Sequence, residues 1–410
     1  MMVAIARRRP IPLLLAGPVA LAALCLTLLL AISDTLETDE PQAALHINPF
    51  NAQARLQSIL DVGLQDKDPA AARLEIQTHL ATSVGDARNY SLMGTTIRNL
   101  GDAAKAKELF AFALRLNPSE PNAARMTVEM AVADGRFADA LQGIEAYARK
   151  GGPGAQDISG QLVRIALADP RALAAILQSL SNDPPWRGSF LVELQKSTAG
   201  LSIIPRAIAA LRGGQRKATE VEIASAVRAY LSAGNVAGAY RIFVSSRDAA
   251  SRPLVSFVYN SEFKAAPSGN PFDWSIARSG AAEIRIPGAK GEGAEISFLE
   301  RPAAGFGLSQ TLALLPGSYT GAIEAKAVSL IAPDAVYSYV RCASGRMLAK
   351  TDMPTGTYQA RTIAFKVEVP ESGCETQTLG FATNQLFQHW SRTFGGELTV
   401  RSVRLNAVSE

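Results

Sequence analysis

The stretch RNLGDAAKAKELFAFALRLNPSEP, Arg98–Pro121, decides how the first half of this 410-residue chain is read. It is rich in alanine and leucine, carries a glycine near its head and ends in Asn-Pro. A solitary helix would account for it. Shifted by 34 residues, however, its landmarks return: Gly101 and Ala106 become Gly135 and Ala140, and Phe110 becomes Ile144. The windows Ala87–Glu120 and Pro121–Gly154 each hold an apolar helix, a turn containing glycine and a second apolar helix. A helical pair of this kind cannot bury its apolar face alone, so neighbouring pairs must stack.

A third window in phase is EVEIASAVRAYLSAGNVAGAYRIFVSSRDAASRP, with Tyr230, Gly234, Ala239 and Phe243 at the same positions. Upstream, Asn48-Pro49 mimics Asn117-Pro118 and predicts an earlier pair from Ala52 to Leu80. Between Gly151 and Arg216 the pattern degenerates: LVRIALADPRALAAILQSL predicts two helices broken at Asp169-Pro170, and SNDPPWRG a loop. The period and the residues Tyr90, Met93, Gly94, Ile97, Gly101, Ala106, Phe110, Ala113 and Pro118 resemble the tetratricopeptide repeat. The second window keeps Gly135, Ala140 and Ile144 but lacks the final proline. Small residues at Gly94 and Ala106 let antiparallel helices approach closely, which supports the same reading physically. The resemblance implies a groove built from the first helix of each pair, with a protein as partner. Its positions here are Arg88, Ser91, Thr95, Arg98, Asn122, Arg125, Glu129 and Arg228. That set is mildly basic, suits an acidic peptide or anionic polymer, and departs from the family's carboxylate clamp of Lys and Asn. A solvated charged face is the alternative.

From about Pro253 the apolar period changes from near four to two. Strands are predicted in VSFVYN, DWSIA, AEIRI, AEISFL, SQTLALL, SYTGAIEAKA, AVYSYVRCA, RTIAFKVEV, TQTLGF and ELTVRSVRLNAV, separated by clusters such as APSGNP and PESG. Short strands with such turns argue for an antiparallel β-sandwich. NPFDWSIA, SQTLALLPGSYTGAIEAKA and the closing TVRSVRLNAV resemble the galactose-binding-like jelly-roll of carbohydrate-binding modules, which implies polysaccharide as a ligand. Alternation places Tyr319, Ile323 and Ala325 on one face of their strand and Glu324 and Lys326 on the other. Val336, Val340 and Cys342 likewise oppose Tyr337, Tyr339 and Arg341, while Ile363, Phe365 and Val367 read as core. If the polar faces coincide, they offer aromatic plates for sugar rings and polar groups for hydroxyls. The loop FATNQLFQHWSRTFGG adds Asn384, Gln385, His389 and Trp390 as a second candidate glycan site. A second buried layer is the alternative for the tyrosines, and Trp274 reads as core.

At the start, Arg7, Arg8 and Arg9 precede an uncharged run from Pro10 to Ser33, long enough for a bilayer core of about 30 Å. Acids follow it. The expected organisation is a cytoplasmic tail (1–10), a transmembrane anchor (11–33), a linker (34–47), helical repeats (48–252) and a sandwich (253–410). Cleavage at Ala31-Ile32-Ser33 as a signal peptide is the alternative. Either way the expectation is a bacterial inner-membrane or periplasmic protein, single-pass in the first case. Cys342 and Cys374 are then candidates for one disulfide, with two buried free thiols as the alternative.

Charge excludes little but guides. With 48% hydrophobic and 19% charged residues and a net charge of +4, the chain lacks the dense basic stripe of a nucleic-acid binder. His46, His79 and His389 have no metal-ligand spacing, the cysteines form no zinc pattern, and PGAKGEG lacks the P-loop spacing. No cofactor, metal or catalytic residue is expected. The fold class is multidomain, α then β, and the expected function is a non-catalytic envelope adaptor with protein and glycan partners. Exported repeat proteins of similar layout imply exopolysaccharide synthesis or export. A purely protein-binding scaffold and a polysaccharide hydrolase or lyase are the alternatives.

Overall fold

The computed structural model describes residues 13–65, 69–80, 83–149, 158–277, 279–384 and 392–408. The chain divides into two compact units, Met1–Ala155 and Gln156–Glu410. That division falls within the helical segment and not at residue 253, where the side-chain period changes.

In the first unit the helices are α1 (Leu13–Leu36), α2 (Pro41–Ile47), α3 (Ala52–Gln65), α4 (Pro69–Leu80), α5 (Ala87–Asn99), α6 (Ala103–Leu116), α7 (Pro121–Ala133) and α8 (Phe137–Arg149). Among the described residues no helix is long and apolar enough to cross a membrane. The expected transmembrane span is therefore left without structural support, and its first residues, with the tail 1–10, lie outside the described residues. The expected linker 34–47 is instead largely helical. The Ser33 hydroxyl donates to the Ala44 carbonyl at 3.0 Å, and the Asn51 amide donates to that hydroxyl at 3.0 Å, tying α1 to the start of α3.

The repeat is visible in the backbone. Gly101, Gly135 and Gly234 all take positive φ, of 95°, 71° and 73°, the left-handed conformation that ends a helix with little steric cost when no Cβ is present. Each is followed by the same closing bond: Asp102 N–H to Ile97 O, Arg136 N–H to Ala131 O, and Asn235 N–H to Tyr230 O, at 2.8–3.2 Å. The Asn-Pro junctions also match. The Asn48 and Asn117 side chains accept from the backbone N–H of Phe50 and Ser119, at 3.1 and 3.0 Å. Gly94 has no room for a side chain, since a Cβ there would lie 2.7 Å from the Phe110 ring. Ile59, Ile76, Met93, Ile97, Phe110 and Met126 form the buried seam between successive pairs.

The second unit opens with α9 (Ile158–Ala168) and α10 (Pro170–Leu180), broken at Asp169-Pro170 as predicted. It continues through α11 (Arg187–Leu194), α12 (Thr198–Leu201), α13 (Ile204–Arg212), α14 (Glu220–Ser232) and α15 (Val236–Ser246). Its most constrained side chain is Arg187, which is 2% exposed. All five guanidinium N–H groups have an acceptor. Nε and Nη2 grip Glu222 at 2.9 and 2.6 Å, and the η nitrogens donate to Asp183 and to the Arg216 and Lys217 carbonyls at 2.9–3.0 Å.

Among the described residues ten strands follow: β1 (Ser275–Ala277), β2 (Ala282–Arg285), β3 (Ala294–Arg301), β4 (Gly307–Leu312), β5 (Gly317–Ile331), β6 (Val336–Cys342), β7 (Met347–Asp352), β8 (Gly356–Val369), β9 (Gln377–Thr383) and β10 (Phe394–Ala407). The front sheet runs β1-β4-β9-β6-β7 and the back sheet β2-β3-β10-β5-β8. Without β1 and β2, the orders 4-9-6-7 and 3-10-5-8 are those of two Greek keys closed into a jelly-roll. Trp274, Phe381, Ile323, Val367 and Val403 lie in the core between the sheets, each fully buried.

Two strand assignments change. VSFVYN is not a strand. Its end, Val258, Tyr259 and Asn260, is buried, and the Gln310 side chain of β4 accepts from the Tyr259 N–H and donates to its carbonyl at 3.0 and 2.9 Å, while Ser256 and Phe257 stay exposed. β7 was not predicted, because MLAKTD at a sheet edge is half polar and alternates weakly. Cys342 and Cys374 are bonded across a separation of 32 residues, and both are buried.

Replacing Arg187 by Met leaves buried acceptors unpaired and is expected to lower unfolding stability by about 3–5 kcal/mol, measured by denaturant titration. Burial pushes the Glu222 carboxyl up, but donors from Arg187 and Thr219 outweigh it and hold it below the ordinary 4.5. Its contribution is therefore complete above pH 4.5 and lost as pH falls through the lower folded value. The gap between wild type and variant should close in acid; a gap independent of pH would contradict this. Separately, reduction or Cys374→Ser should cost roughly 3–4 kcal/mol on the chain-entropy model, read as a lowered midpoint.

Candidate functional site

Two surfaces gather the polar residues expected at binding sites. On the first unit, α5 and α7 lie side by side and their groove residues bond chiefly to one another. The Asn122 amide donates to the Ser91 and Thr95 hydroxyls at 2.7 and 3.1 Å. Arg125 donates to Asn122 Oδ1 at 3.0 Å and to Glu129 at 2.8 Å, and Arg98 pairs with Glu129 at 3.3 Å. Arg88 is held by Asp86 at 2.7 Å and also donates to Gln53 of α3; the Arg88 guanidinium donating to Asp86 keeps that carboxyl below the usual range. Ser91 is 1% exposed. These residues therefore build the seam between helical pairs, leaving Arg88, Arg98, Arg125 and Glu129 partly open. Arg228 belongs to the second unit, on α14, where it donates to the Gly269 carbonyl at 3.3 Å.

The other surface is the outer face of the front sheet. Alternation along β6 buries Val336, Ser338, Val340 and Cys342 and turns Tyr337, Tyr339 and Arg341 outward. Register then sets three rows across the five strands. Ser275, Ser309, Gly380, Tyr339 and Lys350 form one; Ala277, Gly307, Ala382, Tyr337 and Asp352 form the next; Thr311, Thr378 and Arg341 begin the third. Small side chains on β1, β4 and β9 thus flank the tyrosine pair, whose ring centroids lie 6.0 Å apart. Gly380 is required there: a Cβ would lie 2.9 Å from the Tyr339 ring and 2.8 Å from the Leu308 carbonyl. Lys350 Nζ sits 4.3 Å from the Tyr337 centroid and Arg341 Cζ 5.1 Å from that of Tyr339, within cation–π range. Lys350 also donates to Asn384 at 2.8 Å. Burial pushes the Tyr339 phenol up, with Arg341 opposing.

Glu324 and Lys326 do not join this face. β5 lies in the back sheet, so they point outward on the opposite side of the sandwich. There Arg401 pairs with Glu324 at 3.0 Å and Lys326 with Glu292 at 3.6 Å. The polar faces that sequence alternation leaves free to coincide are separated by the whole core. Gln385, His389 and Trp390 lie outside the described residues. Lys350, Asp352 and the small residues of the rows escaped sequence reading because β7 was unrecognised and small residues in GLSQTL and QTLGFAT carry no chemical signature alone. Among the described residues no cluster of His, Cys, Asp or Glu could hold a metal ion.

No family model matches the chain, and no curated protein matches it. Similar solved structures include a CBM4 module, 15% identical, covering 37% of this chain and 99% of that one at TM-score 0.29. Another is TmCBM61 in complex with β-1,4-galactotriose, 12% identical, covering 38% and 99% at TM-score 0.26. A carbohydrate-binding module of Cellvibrio mixtus lichenase 5A, in complex with cellotriose, is 16% identical and covers 34% and 98% at TM-score 0.23. The functional reading rests on this chain's own residues.

Asn122→Ala is expected to leave the buried Ser91 hydroxyl without its donor and to cost about 1–3 kcal/mol. Arg125→Ala, on the exposed rim, should change stability by under about 1 kcal/mol. Comparable losses in the two variants, by thermal or denaturant unfolding, would contradict the assignment of Asn122 to the seam.

Proposed function

We propose that this protein is a non-catalytic adaptor of an oxidising compartment outside the cytoplasm, whose sandwich binds glycan and whose helical repeats hold a protein partner. The observation that carries the glycan half is the paired, half-buried Tyr337 and Tyr339 beside rows of small and hydroxyl-bearing residues. A pyranose ring offers C–H groups to an aromatic face and hydroxyls to Ser275, Ser309, Thr311 and Thr378. The Cys342–Cys374 bond supports the compartment, since such bonds are rare in reducing cytosol. Exopolysaccharide synthesis or export is the setting this combination suits.

A purely protein-binding scaffold is the second reading. It is favoured by an apolar cleft of about 630 Å³ lined by Val236, Tyr240, Val244, Leu314 and Leu315, between α15 and the sandwich.

Affinity electrophoresis in gels carrying surface polysaccharides separates the two. The full chain should be retarded by at least one polymer, and Tyr337→Ala with Tyr339→Ala should weaken retardation by about tenfold or more, with no reducing ends released on incubation. Unchanged retardation in the double variant would refute the site, and release of reducing ends would refute the non-catalytic assignment.

A further inference from the structure

Both tyrosines on the front face carry a cation against the ring, Lys350 on Tyr337 and Arg341 on Tyr339. A neutral sugar stacking on either ring must displace that cation or share the ring face with it. A sugar bearing a carboxylate keeps the cation as partner and gains a charge-assisted hydrogen bond, bidentate in the case of Arg341. Arg346 adds a third positive charge at the exposed β6–β7 turn, against Asp352 alone in the tyrosine rows. Lys350 bonds to the neutral Asn384. On the opposite face Lys326 and Arg401 are matched by Glu292 and Glu324. Arg341 and Lys350 instead lie against the tyrosine rings, with no carboxylate as partner among the described residues.

We propose that the ligand of the front face is an acidic polysaccharide of uronate type, with Arg341 and Lys350 pairing its carboxylates while Tyr337 and Tyr339 support the sugar rings. This rests on the glycan-binding reading above and narrows it. The test is calorimetric titration of the full chain with a panel of polyuronates (polygalacturonate, alginate, hyaluronate) and with each polymer after its carboxyls are reduced to alcohols. At least one polyuronate should bind. Its reduced form should bind about tenfold weaker or less, and Arg341→Gln and Lys350→Gln should each lose about tenfold. Added salt should weaken binding, and Lys366→Gln, exposed on the back sheet, should leave it unchanged. Equal binding of the reduced polymer, or equal loss in Lys366→Gln, overturns the acidic specificity. Neutral glycans binding while every polyuronate fails overturns it too, yet leaves the glycan reading standing. No binding to any polymer defeats both.

Discussion

The first turn of α14 carries two carboxylates, and the second unit hangs on them. Glu222 takes the bidentate grip of buried Arg187, and Glu220 pairs with buried Arg247 at 2.8 Å. Arg247 in turn lies over the rings of Phe243 and Tyr259, with Cζ 4.8 and 6.0 Å from their centroids. The backbone of Tyr259 is held by Gln310, the buried neighbour of the outward-facing Ser309 and Thr311 on β4. A continuous path of charged, aromatic and amide contacts thus runs from α11 to the strand that floors the candidate site. Buried guanidinium groups tolerate this position because every donor of Arg187 is used; an unmatched one would cost several kcal/mol.

The repeat of the first unit is maintained by small devices that recur, and the polar residues between them do a structural job. A left-handed glycine ends α5 and α7, an Asn-Pro junction ends α2 and α6, and Asn122 links the first helices of adjacent pairs through Ser91 and Thr95. Hydroxyl and amide groups at such a seam gain more from one another than from solvent, since burial without a partner is costly. What this unit presents outward is the charged rim of Arg88, Arg98, Arg125 and Glu129, a looser surface than the family groove implies.

Much of the candidate site was readable in AVYSYVRCA alone. Strict alternation identified the core face and the outward Tyr337, Tyr339 and Arg341, because strand side chains alternate regardless of sheet partners. The remainder depended on which strands lie beside β6. Gly380 and Lys350 come from positions 380 and 350, and register places both directly opposite Tyr339. Glu324 and Lys326 have the same local alternation as the tyrosines, yet belong to the other sheet.

By itself the sequence determined the repeat period, the turn glycines, a change from helical to strand periodicity in the C-terminal part and the inward side of β5, β6 and β8. These follow from local stereochemistry and from where apolar side chains must point. Only the tertiary structure decided that VSFVYN is a connector buried at its end, residues 258–260, that groove polar groups pair with one another, and that two polar strand faces are a core's thickness apart. Those outcomes depend on long-range partners: on which amide meets the Tyr259 backbone, and on which sheet a strand enters. Local pattern is blind to both.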